Sequence, residues 1–192
     1  RNSIIHVFLV SALCEMAIVM AAQAPPAERI ERFWADVQQL RDLLKFEFYF
    51  TERREFLEQV RTEADRAGKD WEERLTSDPV DLRALLMRRA PLTASFLLRP
   101  FIEAYLIVAD VVSRTEGPID RPAVVKEALA LGEQYLAQRR IDSAEPVSAL
   151  LFETGLKMMD NRGLLVEAPD RAERVGGLVD QLERVQSAII TI

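Results

Sequence analysis

The chain has 192 residues, 49% of them hydrophobic and 29% charged, and its net charge at pH 7 is −6. This balance is that of a globular domain and excludes a disordered chain. The acidic net charge argues against a nucleic-acid-binding protein, because such proteins neutralise phosphates with Lys and Arg.

The first predicted element is a helix over about residues 4–22, hydrophobic on nearly every side. It approaches the minimum length for crossing a bilayer, but Glu15 near its middle and His6 near its start are costly in hydrocarbon. We therefore predict a core helix, with membrane contact as the alternative. Because the sequence begins at Arg1 directly against this apolar run, we expect the chain to be the C-terminal piece of a longer protein.

Pro25 and Pro26 separate the first helix from the second, since proline fits the first turn of a helix but not its interior. Apolar residues at steps of three and four predict the inner face of this second helix: Ile30, Phe33, Trp34, Val37, Leu40 and Leu44. A third helix follows, with Phe56, Leu57, Val60 and Ala64 inward. Residues 69–79 hold turn-forming residues and predict a loop or a short hairpin.

The second half of the sequence is also mostly helical. Residues 96–112 are apolar almost all round and predict a central buried helix, and Gly117-Pro118 marks an internal boundary near residues 116–121. Two helices follow, then a short predicted strand over 164–166 and a last helix with a regular apolar stripe. The predicted fold is an all-α, or nearly all-α, multi-helix bundle, in which short strands near Trp71 and Val166 suggest winged-helix-like pieces.

Several polar residues lie on apolar helices, where a buried charge must be paired or line a cavity. Two interpretations stay open: the residues tie helices together, or they face a domain upstream of Arg1. The candidates are His6, Glu15, Glu47, Arg99, Glu103 and Asp110. Arg99 and Glu103 lie four residues apart on a helix and are predicted to pair, and Asp110, seven residues after Glu103, lies on nearly the same face.

The sequence offers no catalytic residue or metal site of its own. Cys14 is the only cysteine and His6 the only histidine, and Val10 stands four residues after His6 where a catalytic aspartate would be sought. A disulfide framework and a Cys/His metal site are therefore excluded. Neither a Gly-rich phosphate loop nor a Gly-x-Ser-x-Gly elbow is present. We predict neither a metal nor a cofactor.

Four blocks in chain order resemble the C-terminal region of bacterial glycerol-3-phosphate acyltransferases and their mitochondrial relatives. Residues 1–6 read RNSIIH and are similar to a Tyr-Arg-Asn-x-x-x-His segment of that family, whose tyrosine would precede Arg1. Residues 40–48 resemble an LLK-x-E-(F/L) block and residues 98–105 an RPF-x-E-x-Y helix. The block at 156–165 resembles a G-L-x-x-L-x-x-x-G-L-(I/L) pattern. The resemblance covers essentially the whole chain.

This resemblance implies a longer enzyme that transfers an acyl group from acyl-CoA or acyl carrier protein to the sn-1 hydroxyl of glycerol 3-phosphate, in phospholipid synthesis at the cytoplasmic face of the membrane. The family's catalytic histidine and aspartate, which act together as general base, and its phosphate-binding blocks would lie upstream. The segment in hand would be an inactive helical domain whose partner is the upstream catalytic domain. Arg1, Asn2 and His6 would sit at the joint or near the cleft.

Two other functions remain open on the residues alone. The chain could be a stand-alone helical binding or adaptor module of the winged-helix-regulator type. It could also dock on a membrane through residues 4–22 or 46–50.

Overall fold

The computed structural model describes residues 2–89 and 91–192, without the side chains of residues 2–7 and 95. Within these ranges the chain is all-α. It forms nine α-helices: α1 (Asn2–Ala22), α2 (Arg29–Leu44), α3 (Arg53–Ala64), α4 (Trp71–Thr76), α5 (Leu82–Met87), α6 (Ala94–Arg114), α7 (Arg121–Ala137), α8 (Ala149–Asn161) and α9 (Arg171–Thr191).

The helices belong to two compact units. Unit 1 comprises Arg1–Leu98 with Ser187–Ile192, and unit 2 comprises Arg99–Gln186. The predicted boundary near residues 116–121 lies in the loop between α6 and α7 and stays a prediction.

Helix α1 is the core of unit 1. Residues 12–21 are all buried, including Leu13, Met16 and Ile18 at 0% exposure. Helices α2, α3, α4 and α5 pack against it. A helix with apolar residues on every face is stable in water only when other helices enclose it. The predicted core helix is therefore confirmed.

The helices around α1 turn their predicted apolar stripes inward. Phe33, Val37 and Leu40 of α2 are buried, as are Phe56 and Val60 of α3. The region predicted as a loop or hairpin, residues 69–79, instead contains α4, because Trp71 and Leu75 lie one turn apart and both reach the core. The Trp71 ring packs 4.8 Å from the Phe33 ring, centroid to centroid.

Unit 2 is built on the part of α6 that follows Leu98. Ile102, Tyr105 and Val108 of α6 are completely buried. Helix α8 approaches α6 closely at Gly155, where an added Cβ would lie 2.8 Å from Cγ1 of Val108. Helix α7 packs on α8. The glycine thus allows a separation that a larger side chain would prevent.

The predicted strand over 164–166 is wrong, and with it the winged-helix-like interpretation, because no described residue forms a strand. The local cause is the end of α8. Gly163 adopts a φ of +68°, and the Leu164 N–H donates to the Met159 carbonyl oxygen at 2.9 Å. This closes the helix in a Schellman arrangement, so that the backbone after α8 turns rather than extends.

Among the helices in the described ranges, none is both long enough and apolar enough to cross a membrane.

Cys14 provides a test of the packing around α1. Burial raises the pKa of its thiol from 9.0 to about 12; nearby Arg89 lowers this pKa and Glu63 and Glu15 raise it, each by a smaller amount. We expect no reaction of the folded 192-residue chain with a thiol-specific chromogenic reagent at pH 8, and one equivalent after denaturation, since the thiolate is the reactive form. Rapid reaction of the folded chain would contradict the enclosure of α1.

The same pKa predicts how the stability depends on pH. The thiol stays protonated in the folded state while it ionises above pH 9 in the unfolded state. The contribution of Cys14 to the free energy of unfolding is therefore complete below pH 9 and is lost as the pH rises from about 9 towards 12. A Cys14→Ala variant lacks the ionisable thiol. The difference between its free energy of unfolding and that of wild type, measured as a function of alkaline pH, therefore isolates the contribution of Cys14.

Candidate functional site

Unit 1 contains a buried carboxylate on its central helix. Glu15 of α1 is 0% exposed, and its Oε2 accepts hydrogen bonds from the backbone N–H groups of Thr93 at 2.9 Å and Ala94 at 2.8 Å. The Thr93 hydroxyl also lies 3.3 Å from Oε1. Because Ala94 begins α6, Glu15 caps that helix from a different helix, where the helix dipole favours a negative charge.

A buried arginine extends this polar cluster. The Arg89 side chain is 1% exposed and pairs with the Glu63 carboxylate at 2.9 Å. It also donates to the Glu63 backbone oxygen and, at 3.3 Å, to Oγ of Ser11. Ser11 Oγ in turn lies 3.4 Å from Glu15 Oε1. A continuous network of hydrogen bonds thus links α3, the segment after α5, α1 and the start of α6.

Unit 2 contains a polar cleft of about 420 Å³. It is lined by α6, the end of α7, the loop that follows, and α9. The charged and hydroxyl-bearing side chains around it are Glu103, Asp110, Ser113, Arg114, Tyr135, Arg140, Asp180 and Glu183. The carboxylates outnumber the guanidinium groups two to one in this set, so the cleft is acidic like the chain as a whole.

Asp110 is the best-connected group in this cleft. Its Oδ2 accepts a hydrogen bond from the Tyr135 hydroxyl at 2.5 Å and pairs with Arg114 at 2.7 Å. The Arg140 guanidinium stacks on the Tyr135 ring, 3.8 Å from its centroid. Burial and the bond to Asp110 raise the pKa of Tyr135 above its usual 10.0. The phenol therefore stays protonated near neutral pH and acts as a hydrogen-bond donor rather than as a base.

The predicted pair of Arg99 and Glu103 is confirmed. Arg99 Nε lies 2.8 Å from Oε1 of Glu103, whose side chain is 2% exposed, and Nη2 lies 2.5 Å from Oδ2 of Asp142. Glu103 and Asp110 both reach the cleft from α6, as their spacing of seven residues suggests. The arginine neutralises a carboxylate that would otherwise be costly to bury.

The remaining candidates are placed less centrally. Glu47 is half-buried in the segment after α2, and it belongs neither to the Glu15 cluster of unit 1 nor to the cleft of unit 2. Arg1 lies outside the described residues. Asn2 and His6 belong to α1, but their side chains lie outside the described set.

Sequence reasoning missed several members of the two clusters. Arg89 follows another arginine, lies two residues before Pro91 and resembles an exposed loop residue. Glu63 resembles part of a solvated helix face. Tyr135 lies among apolar residues at helical spacing and resembles a core residue. One signal was available: Ser11 and Glu15 are four residues apart on an otherwise apolar helix, which indicates a shared polar contact.

In the Glu15 cluster of unit 1 and in the cleft of unit 2, the polar side chains bind other groups of the same chain. Among the side chains that the structure describes, which do not include that of His6, no group of three or more His, Cys, Asp or Glu is arranged to hold a metal ion. The carboxylates of Glu15, Glu103 and Asp110 each have a donor within 2.9 Å. These contacts support the interpretation that the polar residues tie helices together.

Comparison with known proteins identifies the family. The model of the glycerol-3-phosphate acyltransferase C-terminal region matches residues 1–168. Proteins named "Putative acyltransferase plsB1" from Mycobacterium bovis and Mycobacterium tuberculosis are 33% identical to this chain over 202 aligned residues, covering 100% of the chain and 32% of each relative. No solved structure matches. The chain belongs to the glycerol-3-phosphate acyltransferase C-terminal family and spans about a third of the length of these curated relatives.

Removal of the Glu15 carboxylate tests the first cluster. We expect Glu15→Ala to lower the free energy of unfolding by about 3 kcal/mol, because the N–H groups of Thr93 and Ala94 lose their acceptor. Glu15→Gln keeps one acceptor oxygen and should cost less. Glu127→Ala on the exposed face of α7 is the control and should stay within about 0.5 kcal/mol of wild type. Chemical denaturation gives all three free energies of unfolding. A Glu15→Ala variant as stable as wild type would contradict the capping role.

A double-mutant cycle tests the second cluster. We expect Tyr135→Phe and Asp110→Ala each to destabilise the chain, with a coupling energy of about 1 kcal/mol, since the hydroxyl and the carboxylate contact each other in a partly exposed site. Denaturation of wild type, both single variants and the double variant measures the coupling. Strictly additive effects would show that the 2.5 Å contact contributes nothing to stability.

Proposed function

We propose that this chain is the helical C-terminal domain of an acyltransferase that acylates the sn-1 hydroxyl of glycerol 3-phosphate. The match of the family model to residues 1–168 carries this proposal, and the acyltransferase name of the relatives supports it. The donor is an acyl thioester, either acyl-CoA or acyl carrier protein. In the reaction the glycerol hydroxyl oxygen attacks the thioester carbonyl carbon. A C–O bond forms, the C–S bond breaks, and the hydroxyl proton leaves with the thiol.

The role proposed for this domain is structural rather than catalytic. A general base for the hydroxyl is most often a histidine held by a carboxylate. The chain has one histidine, His6, with Val10 four residues on. The catalytic pair is therefore assigned to the part of the protein beyond this domain, which in the curated relatives makes up about two thirds of the length.

The proposal includes a place for the N-terminal end of α1. Arg1, Asn2 and His6 lie at the join with the upstream catalytic domain, either tying the two domains together or reaching towards the substrate cleft. The whole protein acts at the cytoplasmic face of the membrane as a peripheral enzyme, because its product is a membrane lipid precursor.

An acylation assay of the full-length protein tests this function. With radiolabelled glycerol 3-phosphate and palmitoyl-CoA, we expect 1-acyl-glycerol 3-phosphate as the product of the full-length protein. We expect none from the 192-residue chain alone, which lacks the catalytic pair. Product formation by the isolated chain would contradict the structural role, and an inactive full-length protein would contradict the proposed reaction.

The proposed role of Arg1 and His6 at the join with the upstream domain is tested in the same full-length protein. His6→Ala and Arg1→Ala should lower the acylation rate or the melting temperature, whereas Arg83→Ala on the exposed face of α5 should change neither. If both His6→Ala and Arg1→Ala match wild type in rate and in stability, these residues have no role at the join.

A further inference from the structure

An open groove of about 560 Å³ lies between α2 and α3 in unit 1. Its apolar surface comes from two half-buried side chains, Trp34 of α2 and Leu57 of α3. Arg53, Arg54 and Arg61 supply its positive charge, and Glu58 is the one acidic residue among the described residues that line it. Trp34 and Leu57 were predicted on the inner faces of their helices, and this prediction is wrong for both. Phe33 and Phe56, the neighbouring residues, occupy the inner faces, so the Trp34 and Leu57 side chains form part of an outward surface.

The net charge of the groove is opposite in sign to that of the chain as a whole. Acidic residues outnumber basic ones by 31 to 25 overall, whereas three arginines face one glutamate here. The arrangement follows from the helical period: positions 54, 57, 58 and 61 share one face of α3. A mixed basic and apolar face is therefore a property of the α3 sequence itself.

The arginines are held in place without losing their charge. The Arg61 guanidinium lies over the Trp34 ring, 5.2 Å from the centroid, and its closest carboxylate contact is Glu72 at 3.9 Å, between exposed groups. Arg53 donates to the neutral amide oxygen of Gln38. Arg54 pairs with Glu58 at 3.1 Å, but its side chain is 92% exposed. Exposed ion pairs are weak, so these guanidinium groups can exchange partners for an incoming carboxylate.

The shape of the groove favours a protein over a small molecule. Small ligands are held in cavities that enclose most of their surface, and this groove is open. Tryptophan and arginine are the residues most enriched where proteins bind one another tightly. An open groove between two helices that is lined by two apolar and three basic side chains is complementary to an amphipathic helix with acidic flanks.

We propose that the groove between α2 and α3 docks an acidic amphipathic helix of a partner protein. This inference rests on the proposed function, under which the acidic, helical partner is the acyl carrier protein that delivers the acyl group. Arg53 and Arg61 bind its carboxylates, and Trp34 and Leu57 contact its apolar side chains. Acyl-CoA, which has no helix to place in the groove, does not use it.

The two donors provide the test in the full-length protein. We expect Arg53→Gln/Arg61→Gln to lower kcat/KM for palmitoyl-acyl carrier protein about 10-fold, mainly through KM, because both lost charges steer and hold the partner. The value for palmitoyl-CoA should stay within about twofold of wild type. The effect should shrink as the salt concentration rises, since screening weakens the wild-type interaction.

Arg32→Gln/Arg83→Gln is the matched control. Both residues are exposed in unit 1, neither lines the groove, and the double change alters the net charge by the same amount. It should leave both donors unaffected. Thermal melts of all variants confirm that the fold is kept, and Trp34→Ala should reproduce the selective loss without changing the charge.

Three outcomes would overturn the docking proposal: equal losses with both donors, no loss with either donor, or no use of acyl carrier protein by the wild type. If the full-length protein acylates nothing, the proposed reaction fails on its own. Docking is then decided by the fluorescence anisotropy of labelled acyl carrier protein. Binding that Arg53→Gln/Arg61→Gln abolishes supports the groove, and absence of binding to wild type refutes it.

Discussion

The enclosure of helix α1 is the constraint on which unit 1 depends. Ten consecutive residues, 12–21, are buried, so every face of the helix requires a neighbour. Helices α2 to α5 supply those neighbours, and their own apolar stripes are satisfied in the same contacts. The hydrophobic effect fixes which faces turn inward. It does not by itself fix how each neighbour is aligned, because apolar contact has no direction.

Alignment comes from the polar side chains placed within this apolar packing. Glu15 binds the first N–H groups of α6, and Arg89 joins Glu63 to Ser11. Arg29, the first residue of α2, acts in the same way and donates to the backbone oxygens of Leu75 at 3.1 Å and Ser77 at 2.7 Å. Each bond is directional and costly to leave unmade inside a protein. Together they select one arrangement among the many that apolar packing alone would allow.

Polar side chains also align the helices of unit 2, where they are more exposed to solvent. Arg99 neutralises the buried Glu103, and Tyr135 and Arg114 hold Asp110 at the edge of an open cleft. Arg171 donates to the backbone oxygens of Thr115 and, at 2.6 Å, Gly117, which fixes the loop after α6. The polar residues in the two units thus act on helix ends and loops, where backbone groups lack partners. Polar contacts of this kind hold the surface of each unit in a fixed shape.

The sequence alone determined the helical class, the burial of α1 and the inward stripes of α2 and α3, because each depends on a local period of apolar residues. It also carried the resemblance to the acyltransferase C-terminal region and the i,i+4 pair of Arg99 and Glu103. It predicted a strand at 164–166 from composition, although the closing bonds of α8 leave that segment as a turn.

Tertiary structure decided the partners of the buried charges. Glu15 lies 78 residues from Thr93, and Arg89 lies 78 residues from Ser11. No periodic pattern connects positions so far apart. The same holds for the groove, since Trp34 and Arg61 meet only when α2 and α3 pack. Local patterns specify which face of a helix is apolar. The contacts made between the helices of unit 1 depend on how they pack together around α1.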